Sequence, residues 1–230
     1  MSDASLVLPR AAHRFRPLVQ RCVTRVCALL LCIGSSGVFA ASAMADDARL
    51  DAVLERLRGV AAGVLSVRSD FTQEKRLALF DETLRSRGKL SLKKPDKLRW
   101  EYTEPSASGF SVNGAKGKRW SEFSERADSV DVARDMALRL VSEQLLAWAS
   151  VDVERLGRGF ALALTSETPV VLRLTPQDKR LREAIQSVEI TFAADERSIA
   201  TVEVREQGDD YTRIRFENPI LNEPIDDALF

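Results

Sequence analysis

The chain has 230 residues, with 34 basic and 34 acidic side chains, one histidine and three cysteines. All three cysteines and the histidine lie within residues 1–45, and the other 185 residues carry 29 basic and 33 acidic groups, a net charge of about −4. Residues 46–230 therefore have no excess positive charge to attract nucleic acid. Their composition also excludes disulfides, thiol nucleophiles, histidine-based catalytic triads and ordinary zinc or copper sites.

The N-terminal segment has the layout of a secretory signal peptide. Five arginines precede an apolar run over residues 26–33, and Ala43-Met44-Ala45 forms an A-x-A cleavage site. We predict cleavage after Ala45, which leaves one mature domain over residues 46–230. The alternative is an uncleaved membrane anchor, but glycine and serine over residues 34–37 shorten the apolar run below the length of a span.

The mature chain begins with a predicted amphipathic helix. Asp46 or Asp47 can cap it, and apolar residues recur at three- and four-residue spacing to about Val64. From Val67 the apolar period changes to two, which predicts strands joined by tight turns. The predicted strands cover residues 67–71, 84–94, 98–102, 110–112, 151–156, 160–164, 170–174, 185–192, 199–205 and 211–216, with Trp120 and Phe123 on a further strand.

The stretch from Phe71 to Phe123 shows most clearly a sheet that is wet on one face only. Apolar and polar residues alternate here, the apolar ones being Leu90, Leu92, Leu98, Trp100 and Tyr102. Between the two arms, residues 93–97 read Lys-Lys-Pro-Asp-Lys, which favours a turn. The sequence therefore predicts an antiparallel hairpin whose second arm is aromatic.

Residues 131–149 break the strand pattern and predict a helix with an unusually wide apolar surface. One arc of its helical wheel carries Met136, Ala137, Leu140, Val141, Ala147 and Trp148, and three leucines lie beyond that arc at positions 138, 145 and 146. We expect this helix to enter a concavity; an ordinary core helix is the alternative. About ten strands with one apolar face and two helices predict an α+β fold in which the sheet curls into an open barrel.

Four features, in this order, resemble the outer-membrane lipoprotein carrier (LolA) family. They are Phe71-Thr72-Gln73, a strand at Gly88, the run from Lys93 to Trp100, and Glu104-Pro105. The closing segments over residues 209–230 are similar as well. The resemblance implies an unclosed half-barrel of ten to eleven antiparallel strands, with a helical lid over a concave face that takes the acyl chains of lipoproteins.

The resemblance also implies site residues. Lys94 lies an even number of residues from Leu90 and Leu92, so its side chain should point to the same face of the sheet. It occupies the position of an arginine that latches the lid in the best-known carriers. We therefore predict that Lys94 latches the lid or contacts a ligand headgroup. A solvated turn residue is the alternative. Plain core packing is the alternative for the predicted apolar cavity, which comprises Phe71, Leu90, Leu92, Leu98, Trp100, Tyr102, Phe110, Trp120, Met136, Leu140 and Trp148.

The predicted function is non-enzymatic, with no catalytic residue, metal or cofactor. The carboxylate pairs Asp209-Asp210 and Asp226-Asp227 lie in turn-like sequence and are not expected to act in catalysis. The resemblance implies a monomeric periplasmic carrier of acylated lipoprotein or lipid, with an inner-membrane transporter and an outer-membrane acceptor as partners. The alternatives are an accessory protein for specialised lipid or pigment export, a half-barrel lipid or peptide sensor, and a periplasmic hydrolase, which the missing histidine and cysteine disfavour.

Overall fold

The structure, a computed structural model, describes residues 36–123, 127–149 and 152–230, and side chains from residue 46 onward except those at 136, 137, 140, 141, 148, 149 and 153. Most of the predicted signal peptide lies outside the described residues, and the cleavage after Ala45 stays a prediction. One compact unit covers Ala43–Phe230. The helices are α1 Ser36–Ala62, α2 Met136–Ala149, α3 Val153–Leu156 and α4 Lys179–Ala184, with 3-10 turns at Ala78–Phe80 and Asp227–Leu229.

The described part of the chain forms eleven antiparallel strands in one sheet. Their order is β6-β5-β4-β3-β2-β1-β11-β10-β9-β8-β7, so the first and last strands of the chain pair at the centre, and the edges β6 and β7 are not paired with each other. The predicted unclosed half-barrel is therefore confirmed. The strands are β1 Ser66–Leu77, β2 Glu82–Lys93, β3 Lys97–Glu104, β4 Ser108–Asn113, β5 Lys116–Ser121, β6 Asp128–Asp131, β7 Phe160–Glu167, β8 Val170–Pro176, β9 Ile185–Phe192, β10 Ile199–Glu206 and β11 Tyr211–Leu221.

Several predicted boundaries are wrong. The first helix begins at Ser36, ten residues before Asp46. The strand predicted over residues 151–156 is helical from Val153, where the side chain of Asp152 accepts a hydrogen bond from the backbone N–H of Arg155 and caps the short helix α3. Phe123 lies in a turn after β5, not on the strand itself.

Two elements were missed by the sequence pattern. Helix α4 begins after Asp178, whose side chain accepts hydrogen bonds from the backbone N–H groups of Arg180 and Leu181. This N-cap followed by good helix formers was a usable signal. The short edge strand β6 has too few residues for a period of two to be recognised.

The buried side chains of the described chain form three clusters on one face of the sheet. The first packs Val53, Leu57 and Ala61 of α1 against β8, β9 and β10. The second surrounds Phe71 and Trp100, and the third, near the β6 edge, joins residues of β4 and α2. Helices α1 and α2 lie against this face of the open barrel, and we call it the concave face. The alternation predicted for β9, β10 and β11 places their apolar residues there.

The other face of the sheet, the convex face, carries the C-terminal segment, residues 222–230. Asp227 binds the side-chain ammonium groups of Lys93 at 2.7 Å and Lys97 at 2.6 Å. The backbone carbonyl of Phe230 accepts a hydrogen bond from Lys118 at 3.1 Å, and the Phe230 side chain is buried. A row of basic side chains therefore holds this segment against the strands.

Candidate ligand-binding interior

An aromatic cluster forms the centre of the concave face. The rings of Phe71 and Trp100 stack with centroids 4.0 Å apart, and Tyr102 meets the Phe71 ring edge-on at 5.5 Å. Gly88 lies directly opposite Phe71 on the neighbouring strand β2. A Cβ at Gly88 would lie 2.3 Å from the Phe71 ring, so the glycine leaves the space that this ring fills. The hydroxyl of Tyr102 in this cluster donates to the side chain of Gln73 at 3.0 Å.

Helix α2 lies against this aromatic centre. Leu145 and Leu146 are buried in the same cluster as Phe71 and Trp100, while Leu138 packs with Val112 at the β6 edge. The described side chains of α2 thus occupy the concave face themselves. Leu138, Leu145 and Leu146 are the leucines expected beyond the docking arc, and Ala147 of that arc is buried as well, so the helix uses more apolar surface than a single arc would provide.

A polar contact ties the start of α2 to the sheet. The side chain of Asp135 accepts a hydrogen bond from the backbone N–H of Leu138 at 2.8 Å, which makes it the N-cap of the helix. Its other oxygen lies 2.8 Å from a guanidinium nitrogen of Arg119 on β5. Arg119 faces the concave side because it pairs across the strands with Phe110. Sequence reasoning missed this pair, although an aspartate directly before the apolar residues that start at position 136 was a usable signal.

Lys94 contacts helix α1. Its ammonium group donates to the backbone carbonyl of Ala61 at 2.7 Å, and its backbone N–H donates to the carbonyl of Leu65. Partial burial lowers the pKa of Lys94 below the ordinary value of 10.5, while nearby Asp152 opposes that shift. The side chain therefore caps the C-terminal end of α1, where free carbonyls attract a cation. The latch role toward α2 stays a prediction.

Most of the described residues predicted to line the interior come together on the concave face. The structure buries Phe71, Leu90, Leu92, Leu98 and Trp100 in one cluster, with Tyr102 and Phe110 packed against it. The side chains of Met136, Leu140 and Trp148 lie outside the described residues.

Trp120 needs a correction, because it lies on the convex face. It pairs with Gly109 on β4, whereas the neighbouring inward residue Phe110 pairs with Arg119. Its ring covers Gly109 and stacks on the guanidinium of Arg99, 4.2 Å from the ring centroid. The two-residue turn between β4 and β5 was the overlooked signal, since it sets which strand positions face each other.

Open space lies beside helix α2 among the described residues. A cleft of about 460 Å³ runs between α2 and the β2–β3 and β4–β5 turns, with Val112, Val132 and Leu146 among its lining and Arg139 and Arg155 at its polar side. Inside, a void of about 10 Å³ remains beside Leu90 and Phe216. Leu145 and Leu146 of α2 lie against the centre of the concave face.

An open barrel with helices against an apolar concave face defines the class of half-barrel α+β proteins. A sequence model of the family described as "Outer membrane lipoprotein carrier protein LolA" matches residues 62–230. The chain belongs to this family, whose members are periplasmic lipoprotein carriers. The resemblance inferred from the sequence is thereby confirmed.

Individual relatives are distant. An outer-membrane lipoprotein carrier protein of Pseudoalteromonas translucida (strain TAC 125) is 23% identical over 206 residues, covering 88% of this chain and 89% of the relative. Among solved structures, MucB of Pseudomonas aeruginosa in complex with MucA is 14% identical with a TM-score of 0.48, covering 77% of this chain and 59% of that chain. A LolA superfamily protein from Nitrosomonas europaea is 10% identical with a TM-score of 0.39, covering 77% and 96%.

No helix in the described ranges combines the length and the apolar character that crossing a bilayer requires.

Proposed function

We propose that this protein is a periplasmic carrier that binds the acyl chains of lipoproteins on its concave face, and that helix α2 moves out of the interior to admit them. The observation that carries this proposal is the burial of Leu138, Leu145 and Leu146 against the concave face. In the empty carrier α2 acts as its own occupant. An inner-membrane transporter that loads the carrier and an outer-membrane acceptor that unloads it are part of the proposal.

The energies of the two occupants make the exchange workable. Burying one acyl chain of some fifteen methylenes yields about 10 kcal/mol at roughly 0.8 kcal/mol per methylene. Each leucine that leaves the interior forfeits about 1.5–3 kcal/mol. Displacing the three leucines of α2 costs roughly 4.5–9 kcal/mol on this scale, which offsets much of the gain from one chain and a smaller share of the gain from several.

The polar contacts of α2 suit a helix that moves. Its N-terminal cap and the Arg119–Asp135 ion pair are partly exposed, so each contributes about 1 kcal/mol or less. Exposed contacts of this strength hold a closed arrangement without preventing its opening. The first strand of the sheet, by contrast, is paired on both sides along most of its length.

A reversible lock of α2 tests the proposal. The variant Arg119→Cys/Asp135→Cys is made with the three native cysteines replaced by serine. A bis-methanethiosulfonate reagent then joins the two new cysteines through bonds that a thiol can reduce. Binding of a dansylated triacyl lipopeptide is followed by fluorescence. We expect the locked protein to lose binding and reduction to restore it. The matched control joins cysteines at Thr191 and Thr201, which pair between β9 and β10 and lie outside α2 and the turn that precedes it.

Undiminished lipopeptide binding by the locked protein would mean that α2 is an ordinary core helix. A separate experiment identifies the cargo, which the sequence does not name: mass spectrometry of the lipids and lipoproteins that co-purify with the wild type from the periplasm.

A further inference from the structure

Three bulky apolar side chains are almost fully exposed at one end of the sheet. Leu79 is 88% exposed, Phe80 70% and Phe123 87%. Leu79 and Phe80, which we call the apolar tip, lie in the 3-10 turn between β1 and β2, and Phe123 lies in the turn after β5. Because successive strands are antiparallel neighbours, the β1–β2 and β5–β6 connections open at the same end of the sheet.

Specific contacts hold the turn that displays the apolar tip. The backbone N–H of Ala78 donates to the side chain of Asp210 at 2.7 Å. Arg76 donates to the side chain of Asp81 at 2.7 Å, and Asp81 adopts the left-handed conformation, with φ +49°, that ends the 3-10 turn. The two apolar side chains therefore project from an ordered turn that the rest of the fold supports.

On its β3 side, the hairpin that carries the tip extends beyond the neighbouring strand, whereas β11 accompanies β1 as far as Arg76. Strand β3 pairs with β2 only as far as Glu104, which lies opposite Arg87. Residues 82–86 of β2 continue past that point, paired with β1 alone among the described strands. The apolar tip is thus the outermost part of this end of the hairpin.

The charges near the tip nearly cancel. Four basic residues lie over positions 75–87, and three acidic residues lie over positions 74–82. Two of the basic residues are paired within the hairpin, Arg76 with Asp81 and Arg85 with Glu74. A partner that binds here would gain mainly from apolar contact and little from electrostatic attraction.

We propose that the apolar tip and Phe123 insert into the surface of a phospholipid bilayer. Two separate protrusions at one end fit a broad, deformable surface better than a single narrow protein groove, and bulky leucine and phenylalanine side chains are the residues that anchor proteins in the bilayer interface. The inference rests on the proposed carrier function, since the transporter and the acceptor that exchange cargo with the carrier lie in membranes. The carrier would then meet the membrane at this end directly.

Flotation with vesicles of phosphatidylethanolamine and phosphatidylglycerol tests the inference, using the protein purified after export. We expect the wild type to float, and the double variant Leu79→Ser/Phe80→Ser to bind at least about tenfold more weakly. Phe123→Ser is expected to lose part of the binding. The matched control is Leu65→Ser, because Leu65 is 62% exposed at the opposite end of the sheet; it should bind like the wild type.

High salt separates the proposed insertion from charge attraction, and binding should persist there because apolar contact is not screened. Equal flotation of the wild type and the double variant, or no flotation of the wild type, overturns the inference. Lipopeptide binding in solution is measured on the same variants and should be unchanged. If the wild type binds the lipopeptide but not the vesicles, the bilayer inference alone is refuted. If the wild type does not bind the lipopeptide, the carrier function is refuted instead.

Discussion

The side-chain ammonium of Lys94 lies 2.7 Å from the backbone carbonyl oxygen of Ala61 and donates a hydrogen bond to it. This bond connects the β2–β3 turn to the last turn of helix α1. The side chain of Asn222, at the end of β11, binds the same region by accepting from the backbone N–H of Leu65 and donating to the carbonyl of Gly63. The end of α1 is therefore held from two sides of the sheet.

Replacement of Lys94 by methionine should loosen the end of α1. We expect a loss of about 1 kcal/mol in the free energy of unfolding, the usual contribution of such a hydrogen bond, measured by urea denaturation. Lys94→Arg keeps the charge and serves as the control. Unchanged stability of the methionine variant would show that the bond adds nothing net to the fold.

The same lysine predicts a pH dependence. Burial lowers the pKa of Lys94 in the folded protein below 10.5, so the unfolded chain binds more protons in the alkaline range between the folded and unfolded pKa values. The stability of the wild type relative to Lys94→Met should therefore rise as the pH increases toward 10.5. Urea midpoints of both proteins across that range provide the measurement, and a falling difference would contradict it.

Gly88 should tolerate no side chain. A Cβ there would lie 2.3 Å from the Phe71 ring and 2.2 Å from the carbonyl oxygen of Glu101, so we expect Gly88→Ala to cost about 2 kcal/mol. The control is Gly59→Ala on helix α1, where nothing lies within 4 Å of the new Cβ and alanine should gain up to about 1 kcal/mol. Thermal unfolding of both variants checks the contrast, and equal effects would argue against the cross-strand packing.

Asp135→Ala should make lipopeptide binding tighter. The change removes the ion pair between Asp135 and Arg119 of the sheet, which destabilises the closed position of the helix by about 1 kcal/mol. The N-cap that is also lost lies within α2 and moves with it. If closure competes with cargo, the apparent Kd should fall about fivefold. Arg119→Gln removes the same ion pair but leaves the cap in place, and it should tighten binding by a similar factor in the same titration. Weaker or unchanged binding by Asp135→Ala would mean that closure does not compete with cargo.

Acid should release the C-terminal segment from the convex face. Hydrogen bonds from Lys93 and Lys97 lower the pKa of Asp227 from 3.8 to about 2. A carboxylate with a lowered folded pKa stabilises the docked segment above pH 3.8 and loses that contribution as the pH falls toward 2. NMR signals of residues near Phe230 should shift in that window. In Asp227→Asn, whose side chain does not titrate, this shift should be absent; if it persists, another group controls the docking.

The sequence by itself predicted most of the strands and which face of the sheet is apolar, although it missed β6 and took residues 151–156 for a strand. The two-residue period of β9, β10 and β11 and the turn at residues 93–97 depend on neighbours in the chain, and the structure confirms them. The family resemblance rested on equally local features. The outward position of Trp120 was predicted wrongly, but it depends on a local feature too. The two-residue turn between β4 and β5 places Arg119, and not Trp120, opposite the inward residue Phe110.

Only the tertiary structure decided which leucines of α2 face the sheet, that Lys94 binds the end of α1, and that the apolar tip is left in solvent. The helical period of α2 offers apolar residues on more than one arc, so the docked arc depends on the shape of the concave face. The contact of Lys94 with Ala61 joins residues far apart in sequence. No local rule specifies such pairs, because they arise from how the sheet curves around the helices.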